Sequence, residues 1–337
     1  MKYKRARTME DIARLARVSK PTVSRALRGS PLVTEETRRH VLAVAEKYGY
    51  VVNRNAQKLR RKRADTVAVV LDFRSHRENR ISDPFVFDLL AGVSEALAQR
   101  NQDLLLCSPG HSSGASLASI ISSKGADGII FLGQGERGPE LIELARTAVP
   151  FVVWGAVEPD LPYCAIGSDN FLGGRLAGRH LLARGRERIL FVGNTDHAEI
   201  RLRREGLAAA CAGAGAAVDI RDIAINDFSY GASYRAAETV LRESAPRPDA
   251  VFACSDTAAM AFINAFRAAG CAVPEAVSVV GYNDIPAAAH FHPPLSTVHQ
   301  DVHAAGALLV EKLMMTIEGH RPQSVMLETK LVVRASS

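Results

Sequence analysis

Hydrophobic residues recur three and four positions apart through the first fifty residues, which is the spacing of amphipathic helices. The pattern predicts three short helices: one that begins behind Thr8, one over residues 21–28, and one over residues 34–48. Their predicted apolar sides are Met9, Ile12, Ala13, Leu15 and Ala16 in the first, Val23, Ala26 and Leu27 in the second, and Val41, Leu42, Val44 and Ala45 in the third. The first two, joined by a turn at residues 17–19, form a predicted helix-turn-helix.

The ends of the second helix support this prediction. Ser19 can accept a hydrogen bond at its start, Pro21 fits the first turn, and Gly29 can end it with a positive φ. The outer side then presents Lys20, Thr22, Ser24, Arg25 and Arg28, polar side chains suited to a DNA major groove. The motif alone leaves one alternative open, a solvated helix pair with a basic outer face.

From Thr66 onward, short continuous apolar runs alternate with amphipathic segments. The runs predict strands at 67–71, 104–107, 128–132, 151–154, 189–193, 218–225, 251–254 and 277–282, and the segments between them predict helices that include 85–98, 172–182, 232–242, 258–268 and 302–317. Apolar strands separated by helices form parallel sheets covered on both faces. The length suits two such α/β lobes, whose ligands are expected beyond the carboxyl ends of the strands.

Polar and aromatic residues follow several of these predicted strands. They are Asp83-Pro84-Phe85, Trp154-Gly155, Arg203, Asp227-Phe228, Ser255-Asp256 and Tyr282-Asn283-Asp284, with Gln300 further on. Carboxylates, amides and a guanidinium can bind vicinal hydroxyls, and flat rings can cover the C–H face of a sugar. Each residue alone could equally be a loop cap or a salt-bridge partner, so it is the set that predicts a sugar site.

Charge is divided unevenly along the chain. Residues 1–63 contain 18 Lys and Arg against 5 Asp and Glu, a net of +13, while the remaining residues contain 24 against 31, a net of −7. A basic head on an acidic body is typical of a nucleic-acid-binding module attached to a different kind of domain.

The composition also argues against several classes of protein. The N-terminus lacks the apolar core of a secretory signal, and no run approaches the roughly 20 apolar residues of a membrane span. The five cysteines are scattered and contain no CxxC pair, so we expect them to be reduced, small buried residues in a cytoplasmic protein. No cofactor is predicted.

The basic segment 53–63 contains one apolar residue, Leu59, and its composition favours a helix too short to be stable in isolation. It follows a region that resembles the headpiece of the lac/gal repressor family. The match runs nearly without gaps from Thr8 to Leu59, through TMEDIARLARVSKPTVSRALRG, the third helix and VVNRNAQKL. The resemblance implies a homodimer, with a tetramer as the alternative, that binds a pseudo-palindromic operator and inserts its hinge leucines into the minor groove.

The same resemblance implies which residues contact DNA. Lys20, Pro21 and Arg25 occupy its base-reading positions; Pro21 offers no side-chain donor, so Lys20 and Arg25 are expected to dominate base choice. The other implied DNA-binding residues are Thr8, Ser19, Thr22, Ser24, Arg28, Thr34, Thr37, Tyr50 and Asn53, together with Gln57 and Leu59 in the hinge.

Residues 66–334 resemble the periplasmic sugar-binding fold that this family carries as its effector domain, through SDPF, SDNFLGG, IRLRREGL, SDTAAMAF and VVGYNDIPAAAHFHPPLSTVHQD. The effector-binding residues it implies are Asp83, Phe85, Arg203, Phe228, Ser255, Asn283 and Gln300, to which we add Trp154. Two departures stand out. Gly155 occupies a position where many relatives place a sugar-binding Asp, and residues 72–80 lengthen the first strand-to-helix loop.

Three short motifs could indicate other kinds of site. Residues 133–138 match G-x-G-x-x-G, but no acid follows the next strand to hold a ribose, which favours a plain glycine-rich loop. His290, His292, His299 and His303 are close in sequence, with His299 and His303 expected on one helix face, yet no cysteine or glutamate completes a familiar metal site. Residues 110–114 are not a GxSxG elbow, and no catalytic or metal residue is predicted.

The predicted fold is therefore an all-α helix-turn-helix headpiece (1–52), a hinge helix and linker (53–65), and a periplasmic-binding-protein-like α/β domain of two doubly wound parallel-sheet lobes (66–337). The predicted function is a cytoplasmic, non-enzymatic, DNA-binding repressor controlled by a mono- or disaccharide. A sugar-binding or sugar-processing protein with a basic tail is the alternative, and the basic head argues against it. Whether the effector is an inducer or a corepressor stays open.

Overall fold

The computed structural model describes residues 8–27, 29–50, 63–71, 83–107, 119, 121–123, 125–135, 138–213, 218–243 and 246–337. They belong to two compact units that divide between Arg63 and Ala64. The predicted hinge lies almost wholly outside the described residues, so its boundaries stay predictions.

The first unit, the headpiece, contains α1 (Met9–Ala16), α2 (Lys20–Leu27) and α3 (Glu35–Lys47). Thr8 and Thr34 cap the first and third helices by accepting hydrogen bonds from the backbone N–H groups of Asp11 and Thr37. Gly29 has the positive φ predicted for it, +68°. The three predicted helices are confirmed.

The headpiece core is made of small side chains. Its buried members are Ile12, Ala13, Ala16, Val23, Ala26, Val33, Val41 and Ala45. Leu15 and Leu42, which the pattern assigned to the apolar sides, are 40% and 45% exposed, so that part of the prediction is wrong. Three short helices enclose too little volume to bury every leucine at helical spacing.

The second unit contains two six-stranded sheets. The sheet of lobe 1 contains β1 (Thr66–Leu71), β2 (Asp103–Cys107), β3 (Gly128–Leu132), β4 (Phe151–Trp154), β5 (Cys164–Ser168) and β11 (Val325–Leu327), in the order β2-β1-β3-β4-β5-β11. The sheet of lobe 2 contains β6 (Arg188–Val192), β7 (Asp219–Ile223), β8 (Ala250–Ala253), β9 (Ser278–Asn283), β10 (Ser296–His299) and β12 (Lys330–Val332), in the order β7-β6-β8-β9-β10-β12. Every pairing is parallel except that of β12 with β10.

The described helices of this unit are α4 (Pro84–Gln99), α5 (Gly138–Leu144), α6 (Asn170–Ala183), α7 (Ala198–Ala212), α8 (Tyr230–Glu243), α9 (Asp256–Ala268), α10 (Pro286–His290) and α11 (Val302–Ile317). The eight predicted strands and five predicted helices are present within two residues of their predicted ends. None of the described helices is long and apolar enough to span a bilayer.

Close packing of α6 on α7 depends on glycine. A β-carbon at Gly174 would overlap the backbone of Arg203, and one at Gly206 would overlap the backbone of Phe171. The two helices therefore approach through small residues, which brings Arg203 of α7 close to Asn170 at the start of α6.

The chain passes between the lobes after β5, after β10 and between β11 and β12. Hydrogen bonds join these crossing segments: the Asp169 N–H donates to the Leu327 carbonyl (3.1 Å), and the Thr329 hydroxyl donates to the His299 carbonyl (2.7 Å). The lobes are thus linked beside the carboxyl ends of both sheets, where the topology places a ligand.

Candidate functional sites

The first candidate site is the outer side of α2. Ser19, Lys20, Pro21 and Arg25 are exposed, and Thr22 and Ser24 are half-buried. The buried side of the helix is Val23 and Ala26, which pack into the headpiece core. The amphipathic pattern therefore places the predicted base-reading residues Lys20, Pro21 and Arg25 on the solvent side.

Hydroxyl groups organise the helix starts around this surface. The Ser19 hydroxyl accepts from the Thr22 N–H (3.3 Å) and lies 2.8 Å from the Thr22 hydroxyl. Thr34 and Thr37 repeat the arrangement at α3, with their hydroxyl oxygens 2.9 Å apart. The N-termini of helices favour phosphate oxygens, so the predicted contacts of these residues with the DNA backbone are chemically reasonable.

The remaining predicted DNA-binding residues fall into three groups. Thr8 is exposed and forms a capping box with Asp11. Tyr50 is half-buried against the headpiece core. Arg28, Asn53, Gln57 and Leu59 lie outside the described residues.

The second candidate site is a cavity between the two lobes. All eight predicted effector residues line it, and its empty volume, including space open to solvent, is about 870 Å³. They are Asp83, Phe85, Trp154, Arg203, Phe228, Ser255, Asn283 and Gln300. The structure brings the residues together, and their role in binding stays a prediction.

Lobe 1 contributes an apolar wall to this cavity, made of Phe85, Val86, Leu89, Leu132 and Trp154. The rings of Phe85 and Trp154 lie 6.1 Å apart between centroids and are tilted by 47°. Asp83 is the acidic exception: it caps α4 by accepting from the Phe85 N–H (3.1 Å). Burial raises the pKa of its carboxyl group, and the positive charge of Arg203 acts in the opposite direction.

Gly155, at the end of β4, is explained by its neighbour Gln134. A β-carbon at Gly155 would lie 2.5 Å from the side-chain carbons of Gln134. That amide is buried, accepts from the Ala156 N–H (2.9 Å) and donates to the Ala156 carbonyl (3.2 Å). The space in which an Asp side chain would begin is therefore filled, and a carboxylate could not be accommodated there without displacing Gln134.

Lobe 2 contributes a polar wall, made of Asn170, His197, Glu199, Arg203, Ser255, Asn283 and Gln300. Arg203 is 8% exposed and is held by three uncharged groups. Its Nε donates to Asn170 Oδ1 (2.8 Å), its Nη1 donates to the Cys254 carbonyl (2.6 Å), and its guanidinium lies 3.6 Å from the centre of the Tyr282 ring. The positive charge is thus fixed in direction before any ligand binds.

Two amides of the polar wall are bonded to each other. Gln300 Nε2 donates to Asn283 Oδ1 at 2.7 Å, and both residues are buried. Asn283 and Asp284 have φ angles of +112° and +57°, a backbone conformation that is costly for non-glycine residues. Asp284 is secured on its other side by Arg334 (2.7 Å) and His299 (3.0 Å), which hold the turn that presents Asn283.

Three further groups complete the polar side. Ser255 caps α9, accepting from the Ala258 N–H at 3.2 Å. The rings of His197 and Phe228 meet edge to face at 5.4 Å. Ser168, at the end of β5, lines the cavity, and its buried hydroxyl has no hydrogen-bond partner within the described part of the chain.

Three acids that the sequence placed with the sugar-binding set, Asp227, Asp256 and Asp284, do not line the cavity. Asp227 accepts from the Ser229 N–H (2.9 Å). Asp256 is fully buried beneath it, where it accepts from the Thr297 hydroxyl (2.5 Å) and the Ile285 N–H (2.8 Å). Burial raises its pKa to about 8. Asp284 binds Arg334 and His299 instead of facing the ligand space. Asp256 and Asp284 are therefore structural, because a residue after a strand can point away from the cavity as easily as towards it.

The structure also bears on the histidine, glycine-rich and cysteine motifs of the sequence. His299 ends β10 and His303 lies in α11, so the expectation of a shared helix face is wrong. In the residues described, no three His, Cys, Asp or Glu side chains are grouped to hold a metal ion. Gly133 and Gly135 line the ligand cavity, while residues 110–114, 136 and 137 lie outside the described residues. All five cysteines are free thiols.

Sequence reasoning missed several cavity residues. The most informative are Ser168 and Asn170, which flank the first lobe crossing, and His197 and Glu199 at the start of α7. Ser168 ends β5 and Asn170 comes shortly after it, and the hydrophobic pattern did not predict this strand. The rule that placed the other residues would have found them had β5 been recognised.

Comparisons with known proteins agree with this architecture. The family model for bacterial regulatory proteins, lacI family, matches residues 8–53, and a periplasmic binding protein-like domain matches residues 179–337. The HTH-type transcriptional regulator CelR of Thermobifida fusca is 34% identical over 343 aligned residues that cover 100% of both chains. The HTH-type transcriptional repressor PurR of Photobacterium profundum is 30% identical over 98% of each chain.

Solved structures give the same result. A CelR–cellobiose complex is 32% identical, with a TM-score of 0.69 over 98% of this chain and 99% of that one. A lac repressor dimer bound to operator and the anti-inducer ONPF has a TM-score of 0.82 over 99% of both chains, at 24% identity, which shows a common fold.

Proposed function

Because this chain belongs to the lacI family of bacterial regulatory proteins, we propose that it is a DNA-binding transcriptional repressor whose operator affinity is controlled by a sugar bound between its lobes. The observation that carries the proposal is the interlobe cavity, in which strand ends from both sheets meet with an apolar wall facing a polar wall. We infer that the protein acts in the cytoplasm as a switch and not as an enzyme.

The headpiece supplies the DNA-binding half of the proposal. Its basic charge is concentrated in the first 63 residues, with a net of +13, and its second helix presents Lys20, Pro21 and Arg25 to solvent. The charge favours phosphates of any sequence, whereas the α2 side chains can read base edges.

For the effector we propose a glucose-containing disaccharide, the class to which cellobiose belongs. The aromatic rings of Phe85 and Trp154 can cover the C–H face of one sugar ring. Arg203, Asn283 and Gln300 can bind hydroxyl groups on the opposite side. The relative solved in complex with cellobiose, 32% identical over almost the whole chain, supports this ligand class.

A pseudo-palindromic operator requires two copies of the chain, and lobe 1 offers a surface for the second copy. On β2, the edge strand of its sheet, Leu105 and Leu106 are 39% and 47% exposed. An exposed apolar edge strand favours association with another chain. We propose that it contributes to a homodimer, as in the related lac repressor dimer.

Control then takes the form of a coupling free energy. If a sugar changes operator affinity by some factor, operator DNA must change sugar affinity by the same factor, typically the equivalent of about 1–3 kcal/mol. A sugar that lowers operator affinity is an inducer, and a sugar that raises operator affinity is a corepressor.

The test uses full-length protein in two assays. Thermal unfolding with millimolar cellobiose, lactose, maltose or glucose should show a higher Tm with a disaccharide, since a ligand of the native state stabilises it. Adenine and cytidine serve as ligands of another class, and a Tm rise with these alone would contradict the sugar proposal. In the second assay, affinity for duplexes selected from a random pool should fall steeply with salt and change when the sugar is added. Salt-independent binding would exclude the DNA-binding role.

A further inference from the structure

An exposed ion pair joins the two helices of the helix-turn-helix. Glu10 lies in the first turn of α1 and Lys20 is the first residue of α2. Lys20 Nζ lies 2.8 Å from Glu10 Oε2, and the two side chains are 53% and 71% exposed, in that order. They line one groove between α1 and α2 together with Arg14 and Arg17. A carboxylate thus lies at the point of the headpiece where base contacts are expected to begin.

A contribution to folding stability does not explain why Glu10 places a carboxylate at this position. Ion pairs with both partners exposed contribute about 0–1 kcal/mol, because solvent screens them and two long side chains must be ordered. On a surface that meets phosphates, a negative charge also lowers affinity for DNA of any sequence. Glu10 therefore needs a role in which its charge is favourable once DNA is bound.

The major-groove edge of a G·C pair supplies that role. Guanine presents two acceptors there, N7 and O6, and cytosine presents one donor, N4–H₂. Lys20 has three donors, and its contact with Glu10 uses one, which leaves two for guanine. The other carboxylate oxygen of Glu10 has no hydrogen-bond partner within the described residues and can accept from cytosine.

We propose that Glu10 and Lys20 act as one unit that reads a single G·C pair in each operator half-site, with Lys20 donating to guanine and Glu10 accepting from cytosine. The proposal rests on the proposed function, since it assigns a specificity role within DNA binding. An A·T pair in the same place would set the Glu10 carboxylate against the O4 acceptor of thymine, and a reversed C·G pair would set it against guanine acceptors. Glu10 thus contributes mainly by rejecting the wrong pairs.

The test measures base preference as well as affinity. Wild-type full-length protein selects a consensus from a random duplex pool, and every single base-pair substitution of that consensus is then titrated with wild type, Glu10→Gln and Glu35→Gln. Glu35 is the matched control: it also lies in the first turn of its helix, is 65% exposed, and pairs with an arginine, Arg38, at 3.0 Å. Both variants lose one negative charge, and unfolding curves verify that each is folded.

We expect Glu10→Gln to lower the preference for G·C at one position per half-site by about 10-fold, because an amide can also donate to thymine O4. Glu35→Gln should leave every preference unchanged and raise affinity, if at all, equally for all duplexes. Lys20→Gln should alter the same base pair as Glu10→Gln. The inference is overturned if Glu10→Gln keeps the wild-type preferences or if the two substitutions act at different base pairs. A pool that yields no consensus would instead overturn the proposed function.

Discussion

The two walls of the interlobe cavity are built from the same kind of element, the end of a parallel strand and the start of the next helix, yet they differ in chemistry. The apolar wall of lobe 1 is made of side chains that pack on one another, such as Phe85 and Trp154. The polar wall of lobe 2 is made of side chains that hydrogen-bond to one another, such as Arg203 with Asn170 and Gln300 with Asn283.

This difference divides the work of binding between the lobes. Contact with an apolar surface is non-directional and scales with area, so lobe 1 can contribute affinity without fixing the ligand's orientation. A hydrogen-bonded wall is directional, and a ligand that fails to match it leaves buried polar groups unpaired. Lobe 2 should therefore determine which ligand binds, and substitutions in it should have the larger effects.

Arg203→Ala is expected to have the largest effect. It removes the only arginine or lysine that lines the cavity in the described part of the chain and leaves Asn170 Oδ1 and the Cys254 carbonyl without their donor. Hydrogen bonds to charged groups contribute about 1.5–3 kcal/mol each, so sugar affinity, measured by calorimetry, should fall about 10- to 100-fold for each bond to the guanidinium that is lost. Operator binding should persist and no longer respond to sugar.

Arg204→Ala is the matched control, because Arg204 is the next residue of α7 and pairs with Asp222 at the surface. It should retain the sugar response. A retained response in Arg203→Ala would remove Arg203 from the binding site and would undo the division of roles between the lobes.

Lobe 2 also contains a buried acid, Asp256, and Asp256→Asn tests whether this acid is protonated in the folded protein. Burial raises the pKa of Asp256 to about 8, from an ordinary value of 3.8. Between these values the folded protein holds a proton that the unfolded chain has released, so this residue makes the protein less stable as pH rises from about 4 to about 8.

Asn can accept from the Ile285 N–H and donate to Thr297 without ionising. The free energy of unfolding of Asp256→Asn relative to wild type, measured in urea, should therefore rise through this window, by at most about 1.4 kcal/mol per pH unit. A difference between the two proteins that does not change with pH would show that Asp256 is ionised in the native state.

Gly155→Ala examines the apolar wall. The added methyl group would overlap the Gln134 side chain, and overpacking of this type costs about 1–3 kcal/mol. In a Gln134→Ala background the overlap is gone, so the same substitution should cost much less in a double-mutant cycle of urea unfolding. Gly138→Ala is the control, since no atom lies within 4 Å of a β-carbon there. Equal costs in both backgrounds would mean that Gln134 is not the obstacle to an acid at this position.

The strand ends and the family resemblance together were sufficient to predict eight residues that line one cavity, because the ends of parallel strands converge whatever the details of packing. It failed where tertiary contacts define an element. β5 has the sequence CAIGS, with no strong alternation, and β10 contains Ser296, Thr297 and His299. Each pairs with a strand from later in the chain, β5 with β11 and β10 with β12. Ser168 and Asn170 were not predicted as cavity residues because β5 was not predicted.

The sequence also could not predict which individual side chains contact each other. The sequence shows that position 155 is a glycine and carries no carboxylate. It does not show that the Gln134 side chain fills the space beside it, because these two residues are 21 positions apart. The same is true of Glu10 and Lys20, which a local pattern assigns to separate helices. Periodicity predicts which side of an element is buried and not which side chains meet on the other side.

Trp154→Leu is expected to have the smallest effect, and it isolates stacking from burial. Leucine stays apolar and keeps β4 buried, while the flat surface beside Phe85 is lost. Aromatic contacts add about 0.5–1.5 kcal/mol beyond the area they bury, so disaccharide affinity should fall about 2- to 10-fold by calorimetry. Phe151→Leu, at the other end of β4 and outside the cavity, should cost similar stability without changing affinity. If Trp154→Leu instead lowered affinity as far as Arg203→Ala, the apolar wall would orient the ligand as strongly as the polar wall, and the proposed separation of affinity from selectivity would be wrong.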